Sequence, residues 1–228
     1  MCIAKKGQPM YNHRKGAITM IHPFEPFFDR QSRILILGSF PSVASRAQGF
    51  YYGHPQNRFW RVTAAVFGSA VPVTIEEKKI FLRNNHIALW DVACECEIVN
   101  SEDSTIKAVI PSDLSRITDG CDIKRIFVNG KKALSIYERM LESKYGKTTY
   151  LPSTSPANAA WSVERLIEVW SVINCRWGLP QIVTLCVISH YSHDRCHAFS
   201  VNNVMFTQLY SVGCKRRCHS SRCVKVFI

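Results

Sequence analysis

The chain has 228 residues, 46% of them apolar, with ten cysteines and a net charge of +12 at neutral pH. That length allows one domain with a sizeable core plus extensions, and no apolar run reaches the roughly 18 residues a membrane span needs, so no membrane association is expected. The excess of positive charge points to an acidic partner, and nucleic acid is the usual one for a basic protein.

Residues 1–20 carry Lys5, Lys6, Arg14 and Lys15 and no acid. They lack the hydrophobic centre of a secretory signal and read as a flexible basic arm. The stretch His22-Pro23-Phe24-Glu25-Pro26-Phe27-Phe28 is too rich in proline for a helix and is expected to lay its aromatics on a sheet edge. Residues 34–37, Ile-Leu-Ile-Leu, form an apolar run of the length of a buried strand. Gly38 breaks it, and Pro41 with Ser42 makes a turn. A loop dense in rings and polar groups follows, with Phe50, Tyr51, Tyr52, His54 and Asn57, and a helix is predicted over 57–67. A strand that ends in a glycine turn and feeds an aromatic loop suits a pocket for a flat ring. In open α/β sheets such pockets lie beyond the carboxyl ends of the strands.

Thr74 and Glu77 have the spacing of a capping box and predict a helix to about Arg83, with Ile80 and Phe81 facing inward. The run 87–92 (Ile-Ala-Leu-Trp-Asp-Val) reads as a strand or as a turn beneath the pocket. Residues 94–113 are polar and read as irregular. A strand over 125–130 ends in an Asn-Gly turn. The helix predicted over 131–143 has Leu134, Tyr137, Met140 and Leu141 on one stripe. Residues 149–151 form a short strand running into Pro152. Ser162 caps a helix with Val163, Leu166, Ile167, Trp170 and Ile173 on one face. Strands alternating with helices give an α/β fold, a three-layer domain with a central, mainly parallel sheet flanked by helices and with irregular N- and C-terminal extensions.

Patterning stops near residue 175. Six cysteines lie at or beyond it, and the rest of the chain holds only Cys2, Cys94, Cys96 and Cys121. That is no disulfide framework for the domain, so a reducing intracellular compartment, cytoplasm or nucleus, is expected. The tail 176–228 holds two clusters, His190, His193, Cys196 and His197, then Cys214, Cys218, His219 and Cys223. Neither contains a Cys-x-x-Cys pair. An iron–sulfur cluster needs four placed cysteines, which the domain does not offer. No metal or cofactor is expected, and the tail is read as disordered or as an atypical ending.

Two motifs carry a family resemblance. Gly38-Ser39-Phe40-Pro41-Ser42, followed by Gly49-Phe50-Tyr51-Tyr52-Gly53-His54-Pro55-Gln56-Asn57-Arg58-Phe59-Trp60, resembles the first motif region of the uracil-DNA glycosylase superfamily. Within it, the pattern most resembles the hypoxanthine-DNA (deoxyinosine) glycosylase group. Leu151-Pro152-Ser153-Thr154-Ser155-Pro156-Ala157-Asn158 resembles the second superfamily motif, a strand end running into a DNA-inserting loop. The resemblance covers about residues 21–173 and implies a glycosylase domain over 21–175.

The resemblance implies a monofunctional hydrolase that flips a deaminated base, chiefly hypoxanthine, out of DNA and cuts its N-glycosidic bond, leaving an abasic site. It acts without a cofactor, and a monomer is expected. Tyr52 falls where an aromatic stacks on the flipped base; packing on the sheet is the alternative. Gly38, Ser39, Phe40 and His54 complete the base pocket. Ser42, Ser155, Pro156, Ala157 and Asn158 are assigned to DNA, with Ser155 at a backbone phosphate and residues 156–158 filling the gap left by the base. Ser153 falls where relatives place His or Asn facing the base and is taken, with Asn57, as a catalytic candidate.

Two departures matter. Phe40 stands where the superfamily often has Asp or Asn to hold the attacking water, and it has no polar atom. Catalysis must then draw on another group, and Asn57, whose amide can donate to an anion or accept from water, is the nearest candidate; a helix-capping role is its alternative. The group's Cys-x-x-x-Gly-Ser-x-Asp pattern finds Cys96, Ser101 and Asp103 here, but Asn100 replaces its glycine. Two other readings stay open: a uracil- or mismatch-preferring glycosylase, and a DNA-binding module that has lost catalysis.

Overall fold

A computed structural model describes residues 18–98 and 105–174. The readings made for residues 1–17 and for the Cys/His-rich tail lie outside these residues, as do Asn100, Ser101 and Asp103. No helix among the described residues is long and apolar enough to cross a membrane.

The core is a four-stranded parallel sheet in the order β3-β2-β6-β7. Its strands are β2 (Ile34–Gly38), β3 (Ile87–Asp91), β6 (Arg125–Asn129) and β7 (Thr149–Leu151). All five residues of β2 are buried, as expected for a central parallel strand covered on both faces. Gly38 pairs with Asp91 in the β2–β3 register, and Asn129 with Leu151 in the β6–β7 register. The carboxyl ends of all four strands therefore form one edge. Helices α1 (Val43–Gln48), α2 (Phe59–Val66), α3 (Ile75–Asn84), α4 (Ser115–Thr118), α5 (Lys131–Met140), α6 (Glu142–Tyr145) and α7 (Val163–Trp170) connect and cover the strands.

The 22–28 stretch does pack on a sheet edge. Phe27 bridges Leu89 through paired backbone hydrogen bonds of 3.0 and 2.8 Å, which occupies the free side of β3. The capping box also forms. Thr74 Oγ1 accepts from the Glu77 amide at 3.2 Å, and Glu77 Oε2 accepts from the Thr74 amide at 3.0 Å.

Five expectations are corrected. Residues 94–113 are not irregular throughout. β4 (Ala93–Ile98) and β5 (Lys107–Pro111) pair antiparallel with register shifts, and β1 (Ile18–Ile21) adds to β4. The alternation of buried Cys96 and Ile98 with more open Glu95 and Glu97 is a strand pattern hidden by its polar half and by the bulges. β1 also takes the last residues of the segment read as an arm. Ile80 is 52% exposed; Lys78, Phe81 and Leu82 make the buried face of α3. The 131–143 helix breaks at Leu141 into α5 and α6, and Ala133 and Ile136 are buried with Tyr137 and Leu141, whereas Leu134 and Met140 are only partly covered. Finally, α2 starts at Phe59, two residues later than predicted.

Candidate functional site

Both motifs arrive at the carboxyl edge of the parallel sheet. β2 delivers Gly38, Ser39 and Phe40, all buried. Backbone bonds from Val92 N to Gly38 O (2.9 Å) and from Ala93 N to Ser39 O (3.3 Å) hold this turn against the chain leaving β3. A Cβ at position 38 would overlap Asp91 Oδ1 and lie 3.5 Å from the Tyr52 hydroxyl. Glycine is therefore required here for close approach, and Asp91 sits directly against the motif.

Asp91 is 5% exposed. Its Oδ2 is 2.9 Å from His22 Nε2. A carboxylate offers only acceptors, so the imidazole donates. The His22 ring lies edge-on to Phe40 at 5.8 Å and to Phe24 at 4.8 Å. Burial, then the Asp91 carboxylate, pushes the Tyr51 phenol well above its ordinary value; that hydroxyl donates to Glu25 O at 3.0 Å.

The aromatic loop is pinned from below. Ser42 caps α1, its hydroxyl accepting from the Ser45 amide at 3.2 Å, and Ser45 Oγ accepts from Gly53 N at 3.0 Å. Gln48 Nε2 donates to Gly53 O at 2.9 Å. Tyr52 has φ of +52°, a left-handed conformation unfavourable for a residue with a Cβ and tolerated where the surroundings fix it. Its ring stacks on Phe59 at 3.8 Å with 10° between planes. Phe59 in turn meets Trp170 edge-on at 5.7 Å, so α2 and α7 back the tyrosine. His54 is exposed, and its Nδ1 accepts from the Gln56 amide at 3.2 Å within a local turn.

Asn57 Oδ1 accepts from the Phe59 amide at 3.0 Å. An N–H must meet oxygen, so this bond fixes which way the amide points. The helix start uses the oxygen, and the Nδ2 donor makes no hydrogen bond among the described residues. Arg58 reaches over to the second motif. Its Nε donates to Thr154 O at 3.2 Å and its Nη2 to Ser155 O at 2.6 Å and Asn158 O at 3.0 Å, with Nη1 on Trp161 O. Burial lowers the Arg58 pKa.

The second motif leaves β7 through Pro152, whose carbonyl accepts from Trp170 Nε1 at 3.0 Å. Thr154 is fully buried, held at two points by Asn129: Nδ2 donates to Thr154 Oγ1 at 3.0 Å, and Oδ1 accepts from the Thr154 amide at 3.1 Å. Ser153 backs onto Gly130, where a Cβ would come within 3.1 Å of the serine Cβ and where φ is +101°. Its hydroxyl accepts from Ser155 N at 3.2 Å, and Ser155 Oγ from Ala157 N at 3.3 Å. Pro156 and Ala157 stand exposed at the tip, with Asn158 half-buried behind them.

The structure thus gathers Gly38, Tyr52, Asn57, Ser153 and the loop 155–158 at one edge and leaves His54 on its rim. It adds five residues that the sequence reading passed over: His22, Arg58, Asp91, Asn129 and Thr154. Asp91 was visible as the one charge in an otherwise apolar run, and Asn129 as the polar end of its strand. Nothing in the sequence linked His22 to either. An open hollow of about 610 Å³, lined by Asp29, Arg30, Gln31, Arg83, Asn84 and His86, lies where β2 and β3 begin, at the end of the sheet away from both motifs.

The profile of the uracil DNA glycosylase superfamily matches residues 25–174. A hypoxanthine DNA glycosylase of Methanosarcina acetivorans is 36% identical over 152 residues, which is 66% of this chain and 95% of that protein. One of Methanosarcina barkeri is 35% identical over 137 residues, 59% of this chain and 86% of the relative. A solution NMR structure from Methanosarcina acetivorans, given as a provisional uracil DNA glycosylase, superposes with a TM-score of 0.58 at 35% identity, covering 66% of this chain and 94% of its own. With the family profile over most of its length, a parallel sheet of matching fold and both motifs at one edge, the chain belongs to the uracil DNA glycosylase superfamily and is similar to its hypoxanthine DNA glycosylases.

Proposed function

We propose that the chain is a monofunctional DNA glycosylase that removes hypoxanthine from DNA. The target nucleotide leaves the stack and its base enters at the carboxyl edge, against the face of Tyr52 turned away from Phe59. The C1′–N9 bond breaks and its electron pair goes to the base. Water adds to the cation-like C1′ and gives up a proton, leaving an abasic site and neutral hypoxanthine. Asn57 supports the leaving base. The carrying observation is its orientation: Oδ1 is held by the Phe59 amide, so the NH₂ group is the end available to a developing anion.

Asp91 fits a role in reading the base. Deamination of adenine turns N1 from an acceptor into an N1–H donor. A carboxylate with one oxygen held by His22 and the other against Gly38 accepts from that N–H and repels the adenine lone pair. Uracil N3–H presents the same donor, which favours uracil as the second substrate reading. Pro156, Ala157 and Asn158 fill the vacated stack, and Ser42 and Ser155 face phosphate. The names and identities of the two Methanosarcina relatives support hypoxanthine as first choice.

The test is a panel of labelled duplexes containing hypoxanthine, uracil or xanthine, incubated with the protein and then cleaved at abasic sites with alkali. Hypoxanthine is expected to be released fastest. Faster release of uracil moves the assignment to the second reading. Release of none at any salt concentration leaves a DNA-binding module.

A further inference from the structure

We propose that Arg58 is a positioning residue that gives the loop 153–161 its shape and so controls how readily a paired base is opened, without touching the substrate. This rests on the reading that the loop enters the duplex. The chain from 152 to 162 contains neither helix nor strand, so its backbone groups have no ladder to satisfy them. Instead the carbonyls of Thr154, Ser155, Asn158 and Trp161 turn inward onto one guanidinium, with Ser153 O at 3.5 Å at its margin. Convergent carbonyl dipoles repel one another unless a cation with several donors sits among them. Arginine supplies five N–H groups in a rigid planar fork. The Arg58 backbone amide adds a bond to Thr154 O at 3.1 Å. No carboxylate pairs with Arg58 among the described residues, so its charge serves the loop.

The residue is placed to couple the two motifs. Asn57 precedes it, and Phe59, the platform under Tyr52, follows. The guanidinium therefore sets the distance between base pocket and loop tip. Inside the loop, Asn158 Nδ2 donates to Ser153 O at 2.9 Å, closing the same ring of chain from the other side. Pro156 and Ala157 are left projecting outward on a frame that is ordered before DNA arrives.

Single-turnover cleavage separates this role from chemistry. One substrate carries hypoxanthine opposite thymine in a duplex; the other carries it in an unpaired internal loop of the same sequence. Displacement of a positioning frame by about 1 Å costs roughly 100-fold, so Arg58→Met and Arg58→Lys should each slow the paired substrate by about that factor. The unpaired substrate, whose opening cost is already met, should change by no more than about threefold. Lysine should not rescue, because its donors radiate from one point. Equal loss on both substrates, or no loss on either, overturns the proposal. Amide exchange of the Lys variant gives a readout independent of activity. Faster exchange at Ser155, Ala157 and Asn158 with β2 and β6 unchanged supports the role; uniform acceleration or none overturns it. A wild-type protein that cleaves neither substrate refutes the glycosylase reading, while the exchange result still decides the function of Arg58 in the loop.

Discussion

At the scale of single residues, the proposed mechanism divides one side chain between two tasks. Asn57 holds the Phe59 amide with its oxygen and, on that proposal, offers its nitrogen to the leaving base. Asp at this position would keep an acceptor for the Phe59 amide but would lose the donor. Asn57→Asp is therefore expected to retain the thermal midpoint and to lose about 100- to 1000-fold in single-turnover rate. Asn57→Ala should lose rate by the same factor and about 1 kcal/mol of stability as well. An Asp variant as fast as wild type would reassign the amide to holding water. Tyr52 makes a second contrast. Tyr52→Ala should weaken capture of the flipped base by about 1–3 kcal/mol, measured as affinity for a duplex holding a non-cleavable analogue, and Tyr52→Phe by much less. Equal losses would mean that the hydroxyl near Gly38 and Asp91, not the ring, is the active part.

At the scale of elements, the parallel strands and their caps were readable because each rule involved is local. The apolar run before Gly38, the Thr74–Glu77 pair and the Ser162 cap depend on neighbours within four residues. The second sheet was not readable, because β4 becomes a strand by pairing with β1, some 75 residues upstream in register. The same distinction runs through the site. Tyr52 and Asn57 stood in one contiguous motif, whereas the His22–Asp91 pair spans 69 residues, and no periodicity announces such a contact. Helix caps and site turns should also fail differently. Thr74→Ala removes half of a capping box remote from the motifs and should lower stability by about 1 kcal/mol, seen in the thermal midpoint, with the cleavage rate at 25 °C unchanged. Gly130→Ala puts a Cβ at φ +101° and 3.1 Å from Ser153. It should cost about 1–3 kcal/mol and reduce the cleavage rate too, because the strain is delivered to the second motif.

For the whole molecule, the charge of +12 sets how it meets DNA. Each phosphate neutralised releases counterions, so affinity for a duplex should fall with salt at a log–log slope of about −0.9 per contact. Fluorescence anisotropy at several salt concentrations measures it directly. A flat dependence would count against a duplex substrate. Charge alone said only that the partner is acidic. The two motifs said which chemistry to expect, and the sheet order explained why stretches about 100 residues apart act together: Gly38 and Leu151 end strands that flank the same neighbour, β6.

The acceptors around Arg58 have an evolutionary consequence. Every one is a main-chain carbonyl, which all amino acids possess, so the grip of Arg58 on the loop does not depend on the side chains at its exposed tip. The exposed Pro156 and Ala157 can therefore be exchanged, by drift or by an engineer seeking a different opposite-base preference, with the architecture kept intact by a residue outside the diversified segment. Variation can accumulate at the tip while its cradle stays constant, the same division of labour by which a fixed scaffold supports interchangeable reading heads.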